Sequence, residues 1–279
     1  MAEQEPLGIA SDGLPARLTG PWVLHKKHYF ERYLDIFTRG VRGKWQGKLS
    51  YVDLFAGPGR SIIRDSGQEL EGSPFLSLRY AFSRYVFVDV PDVALTLKDR
   101  LNQHPQSSKV SVIEGDCNSV VDKVLATMPT DYLTLIFIDP TGLQIKFRTI
   151  QKLVHNRSVD LLMTLQFGMG IKMNLPQYLQ TEGKALSDFL GNSEWREDAK
   201  LGGSASQITR RILGRYESQL RGLGYETVWD REIDIRSQTN LGLYFMVLAS
   251  RHPLGGDFWR KATQIGPSGQ RLLRLTSEE

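Results

Sequence analysis

Five apolar runs at residues 49–55, 85–90, 110–114, 133–139 and 159–165 constrain this chain more than any other feature. Each is hydrophobic almost without alternation, as expected of a strand covered on both faces. Helical patterns fit between them at 74–83, 92–102, 119–127 and 147–155. Strand and helix repeated in this way give a parallel sheet wound right-handedly, with helices on both sides. Two further helices are expected at 175–190 and 204–223. Runs at 225–235 and 241–250 follow with no helix between them, so they are expected to pair antiparallel at a sheet edge. The fold expected is therefore α/β, with a mostly parallel seven-stranded sheet and an antiparallel C-terminal edge hairpin.

Around this domain, taken as 49–262 with a helical insertion near 175–223, the sequence changes character. Residues 1–20 are rich in Gly and Pro and are expected to be a flexible tail, as is 263–279. Within 21–48, Trp22, Tyr29, Phe30, Tyr33, Leu34 and Phe37 recur at helical spacing, with Lys26, Lys27, Glu31, Arg32 and Asp35 opposite. Arg39, Arg42, Lys44 and Lys48 then form a basic cluster, either a solvated connection or a contact for a phosphate backbone.

Several function classes are disfavoured. A single cysteine, Cys117, cannot form an intrachain disulfide framework or a thiolate metal cluster, and it suits a reducing compartment. His25, His28, His104 and His155 show no metal-ligand spacing, and no metal is expected. No apolar stretch approaches the ~20 residues that span a bilayer. A secretory signal is not visible, so a cytoplasmic protein without membrane contact is expected. The 35 Lys and Arg against 31 Asp and Glu leave a net charge of +4, which permits an anionic partner without demanding one.

Ligands of open parallel sheets bind beyond the carboxyl ends of the strands, at the point where strand order reverses. After the first run comes Asp53-Leu54-Phe55-Ala56-Gly57-Pro58-Gly59-Arg60, where Phe55, Ala56, Gly57, Pro58 and Gly59 form a loop that lets a ligand approach the backbone. Asp89 ends the second run and Asp116 follows the third, beside Cys117. Two carboxylates there suit the ribose hydroxyls and the adenine amine of a nucleoside; each also suits a helix cap. The third glycine of G-x-G-x-x-G is missing, and Asp89 lies about 30 residues downstream of the loop, too far for a dinucleotide fingerprint. No G-x-x-x-x-G-K-[ST] occurs. A phosphate-free adenosine cofactor, S-adenosylmethionine, fits better. Ser73 is expected as N-cap of the next helix, with Pro74 at its first position.

The fourth run ends in Asp139-Pro140-Thr141-Gly142. Asp139 at that exit can take a proton or hydrogen bond from an attacking nitrogen or oxygen, and Pro140 shapes the turn. Beyond the fifth run, the segment 166–174 offers Phe167 for stacking, with Lys172 and Asn174 for a substrate; its plain reading is a connector. His252-Pro253-Leu254-Gly255 with Trp259 reads either as a structural loop or as a substrate-side one.

The segments 53–60, 72–74, 115–118, 137–147, 167–174 and 249–255 together resemble the three-Cys-motif partner family, in order from about Trp22 to Ala262. That resemblance implies a Rossmann-like class I methyltransferase fold, S-adenosylmethionine as cofactor and a partner protein with three clustered cysteines. Thr141-Gly142 departs from the second proline and aromatic that adenine amino-methyltransferases carry, and a cytosine C5 nucleophile in a Pro-Cys loop is absent. The expected function is a methyltransferase acting on nucleic acid or a nucleotide. The rivals are a non-catalytic module serving the three-cysteine partner, and a metal-dependent nuclease using Asp53, Asp89 and Asp139.

Overall fold

The expected strands all pair, and their order sets where a ligand can sit. The computed structural model describes residues 7–226, 233–236 and 242–271. A seven-stranded sheet contains β3 (Leu49–Asp53), β6 (Arg84–Asp89), β7 (Val110–Glu114), β8 (Leu133–Ile138), β9 (Ser158–Leu165), β10 (Ile233–Arg236) and β11 (Gly242–Ala249), in the order β10-β11-β9-β8-β3-β6-β7. The pairs β3·β6, β3·β8, β6·β7 and β8·β9 are parallel. β11 runs antiparallel to both β9 and β10, so it lies inside the sheet with β10 at the edge. Strand order reverses between β3 and β8. This is the class I methyltransferase arrangement. Of the expected strand at 225–235, residues 225–226 are not in a strand, 227–232 lie outside the described residues, and β10 covers 233–236.

Continuous hydrophobicity has a direct cause. Along β3 and β8, Val52, Ile136 and Ile138 face one core, while Tyr51, Leu135 and Phe137 face the other. The first core is closed by α4 (Val121–Thr127), α5 (Phe147–Val154), α7 (Lys184–Leu190), α8 (Trp195–Lys200) and α9 (Ala205–Gly222). The second, rich in aromatics, is closed by α1 (Val23–Val41), α2 (Ser73–Ser77), α3 (Pro91–Leu101) and α10 (Pro253–Thr263). Gly40 of α1 lets α10 approach: a Cβ there would stand 2.3 Å from Phe258 Cζ. Trp259 is buried against Tyr33, so the 252–255 loop with Trp259 takes its structural reading.

Four expectations need correction. The tail at 1–20 contains β1 (Leu7–Ile9) and β2 (Pro15–Thr19), which join β4 (Arg60–Ile63) and β5 (Glu69–Glu71) in a second sheet of order β1-β2-β4-β5. Hairpin β4–β5 is the chain between the glycine loop and α2, and β2 runs parallel to β4. The helix expected at 175–190 is two, α6 (Leu175–Gln180) and α7, because Gly183 at φ +55° breaks it; a Cβ there would meet the Trp195 ring at 2.5 Å. Gly72 rather than Ser73 caps α2, which ends at Ser77 instead of near 83. In the C-terminal segment, Ile265 bridges Arg271 and residues 272–279 lie outside the described part.

Candidate functional site

At the switch point, the turn after β3 is stitched to both neighbouring strands. Leu54 N donates to Phe137 O at 3.1 Å and Ala56 N to Val88 O at 3.0 Å. Gly57 and Gly59 then adopt φ of +67° and +90°, a region that favours glycine. A Cβ on Gly59 would meet Phe75 at 2.6 Å. The Asp89 carboxylate accepts from Gly57 N at 2.7 Å through Oδ2 and from Val90 N at 2.8 Å through Oδ1. The carboxylate at the second strand exit therefore fixes the glycine loop at the first.

Beneath this turn Asp53 is fully buried. Burial pushes its carboxyl up to about 7, against hydrogen bonds from Ser73, Phe55 N and Tyr51, with Asp139 adding to the rise.

A cavity of about 220 Å³ opens over the β3 and β8 exits. Phe55, Ala56, Gly57, Pro58 and Gly59 form one wall and Asp139 with Pro140 another; α1 contributes Trp22, Lys26 and Phe30. Lys26 Nζ lies 2.5 Å from Asp139 Oδ2, and Thr164 Oγ1 donates to Asp139 Oδ1 at 2.5 Å. Lys26 also stands over the Tyr244 ring, 5.6 Å from its centroid. Burial draws the Lys26 ammonium toward its neutral form, but Asp139 and Tyr244 outweigh that and hold its pKa above the ordinary lysine value. The Lys26 ammonium thus keeps its charge beside Asp139. Gln166 closes the floor by donating from Nε2 to Pro140 O at 2.9 Å.

Other expected residues lie elsewhere. Asp89 is joined to the loop yet does not line this cavity, and neither do Asp116 and Cys117. Asp116 Oδ1 accepts from Asn118 N at 2.9 Å and Ser119 N at 3.1 Å, a turn ahead of α4 rather than the expected helix cap, since Val120 is the N-cap of α4 and no side chain caps it. Cys117 is in the core, where burial and then Asp116 push its thiol up to about 12, so its sulfur is no ligand contact. Phe167 is 1% exposed and packs on Phe189 and Phe245, which corrects its expected stacking role. Lys172 and Asn174 are exposed and outside the cavity lining. The basic cluster is outside it too, with Arg39 paired to Asp35 and Lys48 to Asp131. Among the described residues no group of three or more His, Cys, Asp or Glu is gathered to hold a metal ion. Within the same residues no helix is long and apolar enough to cross a membrane.

Sequence reasoning missed Lys26, Thr164 and Tyr244. Lys26 sits 113 residues from Asp139 on the polar face of an amphipathic pattern, and nothing local marks it as anything but solvated.

No family model matches the sequence, and no curated protein matches it. Among solved structures, the chain is similar to an O-methyltransferase from Bacillus cereus in complex with S-adenosylhomocysteine, at 10% identity and TM-score 0.47, covering 86% of each chain. It is also similar to a protein from Legionella pneumophila at 13% identity and TM-score 0.46, covering 81% of this chain and 85% of that one. A third is the O-methyltransferase TomG from Streptomyces achromogenes in complex with S-adenosylmethionine, at 12% identity and TM-score 0.42, covering 81% and 88%. These are likenesses of fold.

Proposed function

We propose that the chain is an S-adenosylmethionine-dependent methyltransferase whose acceptor is a nucleotide or nucleic acid. One observation carries the reading: a loop with two left-handed glycines, tied to Asp89 and underlain by Asp53, opens at the switch point onto a cavity holding the Lys26–Asp139 pair. The residues fit that cofactor. Each Asp89 oxygen accepts one backbone N–H, and a carboxylate oxygen has a second lone pair for a ribose hydroxyl. The glycines let the backbone approach a nucleoside closely. Bound there, the cofactor supplies an electrophilic methyl group on a positively charged sulfur. The protein's part is orientation, which dominates catalysis of such a displacement. Asp139 and Lys26 can hold an acceptor's O–H or N–H between a carboxylate and an ammonium, and Trp22 and Phe30 offer apolar surface beside them. The nucleotide class is motivated by Lys26, Lys27 and Trp22 on the cavity side of α1 and by the net charge of +4.

The resemblance to three-Cys-motif partner proteins supports a second reading, a methyltransferase-like module that serves a partner. One observation favours it: both Asp139 oxygens are already engaged, by Lys26 and Thr164. Calorimetry with S-adenosylhomocysteine and labelled-methyl transfer into a fractionated lysate separate the readings. The enzyme binds the cofactor, loses at least tenfold affinity in Asp89→Ala, and loses transfer but not binding in Asp139→Ala. A module binds without transferring. A folded protein that binds neither S-adenosylmethionine nor S-adenosylhomocysteine ends the proposal.

A further inference from the structure

Two parts of the chain meet at the cavity, and each brings a cation to it. β1 and β2 form an amino-terminal strap, held to the glycine loop by Arg100 of α3, whose Nη1 donates to Pro15 O at 2.8 Å and to Pro58 O at 2.6 Å. β2 pairs with β4 and then runs into α1 through Gly20, Pro21 and Trp22 alone. Arg64, at the turn of the β4–β5 hairpin, docks on the end of β2. Its N donates to Thr19 O at 3.0 Å and its Nη2 to Leu18 O at 3.4 Å. Lys27, near the start of α1, stands on the other arm of that corner. Both side chains line the cavity, Arg64 exposed and Lys27 half-buried.

The charges around them do not balance. Arg17, Lys26, Lys27, Arg60 and Arg64 line the cavity against two carboxylates, Glu71 and Asp139. Lys26 takes Asp139, and Arg60 faces Glu69 and Asp12, which are outside the lining. Arg79, also outside it, takes Glu71 and with it Glu31, the acid one helical turn beyond Lys27. Among the described residues neither Lys27 nor Arg64 forms an ion pair. S-adenosylmethionine does not answer this excess, because its sulfonium and its amino group outweigh its one carboxylate. A cleft lined by one sign of charge concentrates ligands of the other. A phosphate ester offers several free oxygens to an ammonium and a guanidinium arriving from different sides.

Resting on the methyltransferase reading above, we propose that Lys27 and Arg64 form a phosphate clamp, which selects an acceptor bearing a phosphate ester. Lys26 and Asp139 hold the reacting group of that acceptor, and the clamp holds its phosphate. The phosphate is that of a nucleotide or of a nucleic-acid backbone.

Calorimetric titrations of the full chain saturated with S-adenosylhomocysteine test the clamp. The probes are the four nucleoside 5′-monophosphates, the matching nucleosides and a short mixed-sequence RNA. Phosphorylated probes are expected to bind, and nucleosides to bind at least tenfold more weakly. Lys27→Gln and Arg64→Gln each weaken the phosphorylated probes at least fivefold, while affinity for S-adenosylhomocysteine changes less than twofold. Each also lowers the slope of log affinity against log salt for the RNA by about 0.7, the share of one phosphate contact on a single strand. Lys27→Arg and Arg64→Lys, which keep the charge, lose less and serve if a glutamine variant does not fold. Lys109→Gln, the same charge change at an exposed lysine outside the cavity, moves none of these. Monophosphates bound as tightly as the RNA support the clamp with a nucleotide as acceptor, and RNA bound alone supports it with a backbone. Glutamine variants that bind like the wild type overturn it, as do equal affinities for nucleosides and monophosphates or an equal loss of S-adenosylhomocysteine. Polyglutamate bound as tightly as the RNA also overturns it, and makes the surface a seat for an acidic partner protein. If the wild type binds no S-adenosylhomocysteine, the methyltransferase reading fails by itself, and the same probes on the bare protein still decide the clamp.

Discussion

The two sheets of this molecule are held by different forces. Strands β3 and β8 of the large sheet are buried along their whole length, with Val52, Ile136 and Ile138 on one face and Tyr51, Leu135 and Phe137 on the other. The small sheet leaves Leu7 and Ile9 more than half exposed, and its strands are three to five residues long. Its cohesion comes from charge: Arg100 on Asp12, Arg60 on Glu69, and Ser11 donating to Glu69. Hydrophobic burial is non-directional and scales with area, so it suits a scaffold. Charge-assisted hydrogen bonds are few and geometric, and they suit an element that must sit at one place over a loop.

The sharpest break in the comparison comes from the large sheet. Phe87 is wholly buried, edge-on to Tyr51 at 6.3 Å and tilted against Tyr85 at 6.3 Å. Phe87→Ala is expected to cost about 3–5 kcal/mol of global stability. Denaturant melts should move as one transition, with exchange of strap amides following the core.

A smaller and more local loss is expected at the junction. Arg100→Met removes five hydrogen bonds at once, three to carbonyls and two to the Asp12 carboxylate, and leaves Asp12 without its buried partner. Roughly 2–4 kcal/mol of strap-opening free energy should disappear. Hydrogen exchange over residues 7–20 reads it, while protection in β3, β8 and β9 stays near the wild-type level. If the core loses protection equally, the strap and the scaffold are one cooperative unit and the contrast fails.

The same division explains what could be read from the sequence. Residues 110–114 were legible as a strand to the residue, and 133–139 to within one, because two-sided burial writes an uninterrupted apolar run. Asp53, the glycine loop and Asp139 were legible because the switch point of such a sheet is a fixed place. β1 and β2 were not. Their residues Leu7, Gly8, Ile9 and Pro15 to Thr19 carry no period, and the partner that orders them is an arginine some 80 residues away. Lys26 failed to stand out for the same reason, since its worth lies in a carboxylate on another strand. Phe167 misled in the opposite direction: an aromatic beside glycines looks available, yet the chain folds it into the core between Phe189 and Phe245.

Acidity separates the sheets in opposite directions, and here the expected effect is smallest. In the large sheet, burial pushes the Asp160 carboxyl up to about 7, against hydrogen bonding from Ser250 and the charge of Arg251; Asp53 is raised to a similar value. An unfolded aspartate titrates near ~3.9. Between about pH 4 and about pH 7 the native state keeps protons that the unfolded chain has released, so each group lowers stability as pH rises, by at most about 4 kcal/mol. In the small sheet the Arg100 hydrogen bonds hold Asp12 well below the usual carboxylate range. Its contribution is complete above about pH 4 and is lost as pH falls below that. Global stability should therefore decline from pH 5 to pH 8, and strap protection should fail first in acid. Asp160→Asn, which keeps the side-chain shape and cannot ionise, should remove part of the decline and raise stability at pH 8 by about 1–2 kcal/mol. The gain is below the ceiling because the amide must be housed beside Gly255. A variant whose stability falls with pH as steeply as the wild type would place the alkaline cost outside Asp160, and would leave Asp53, at the floor of the site, as its source.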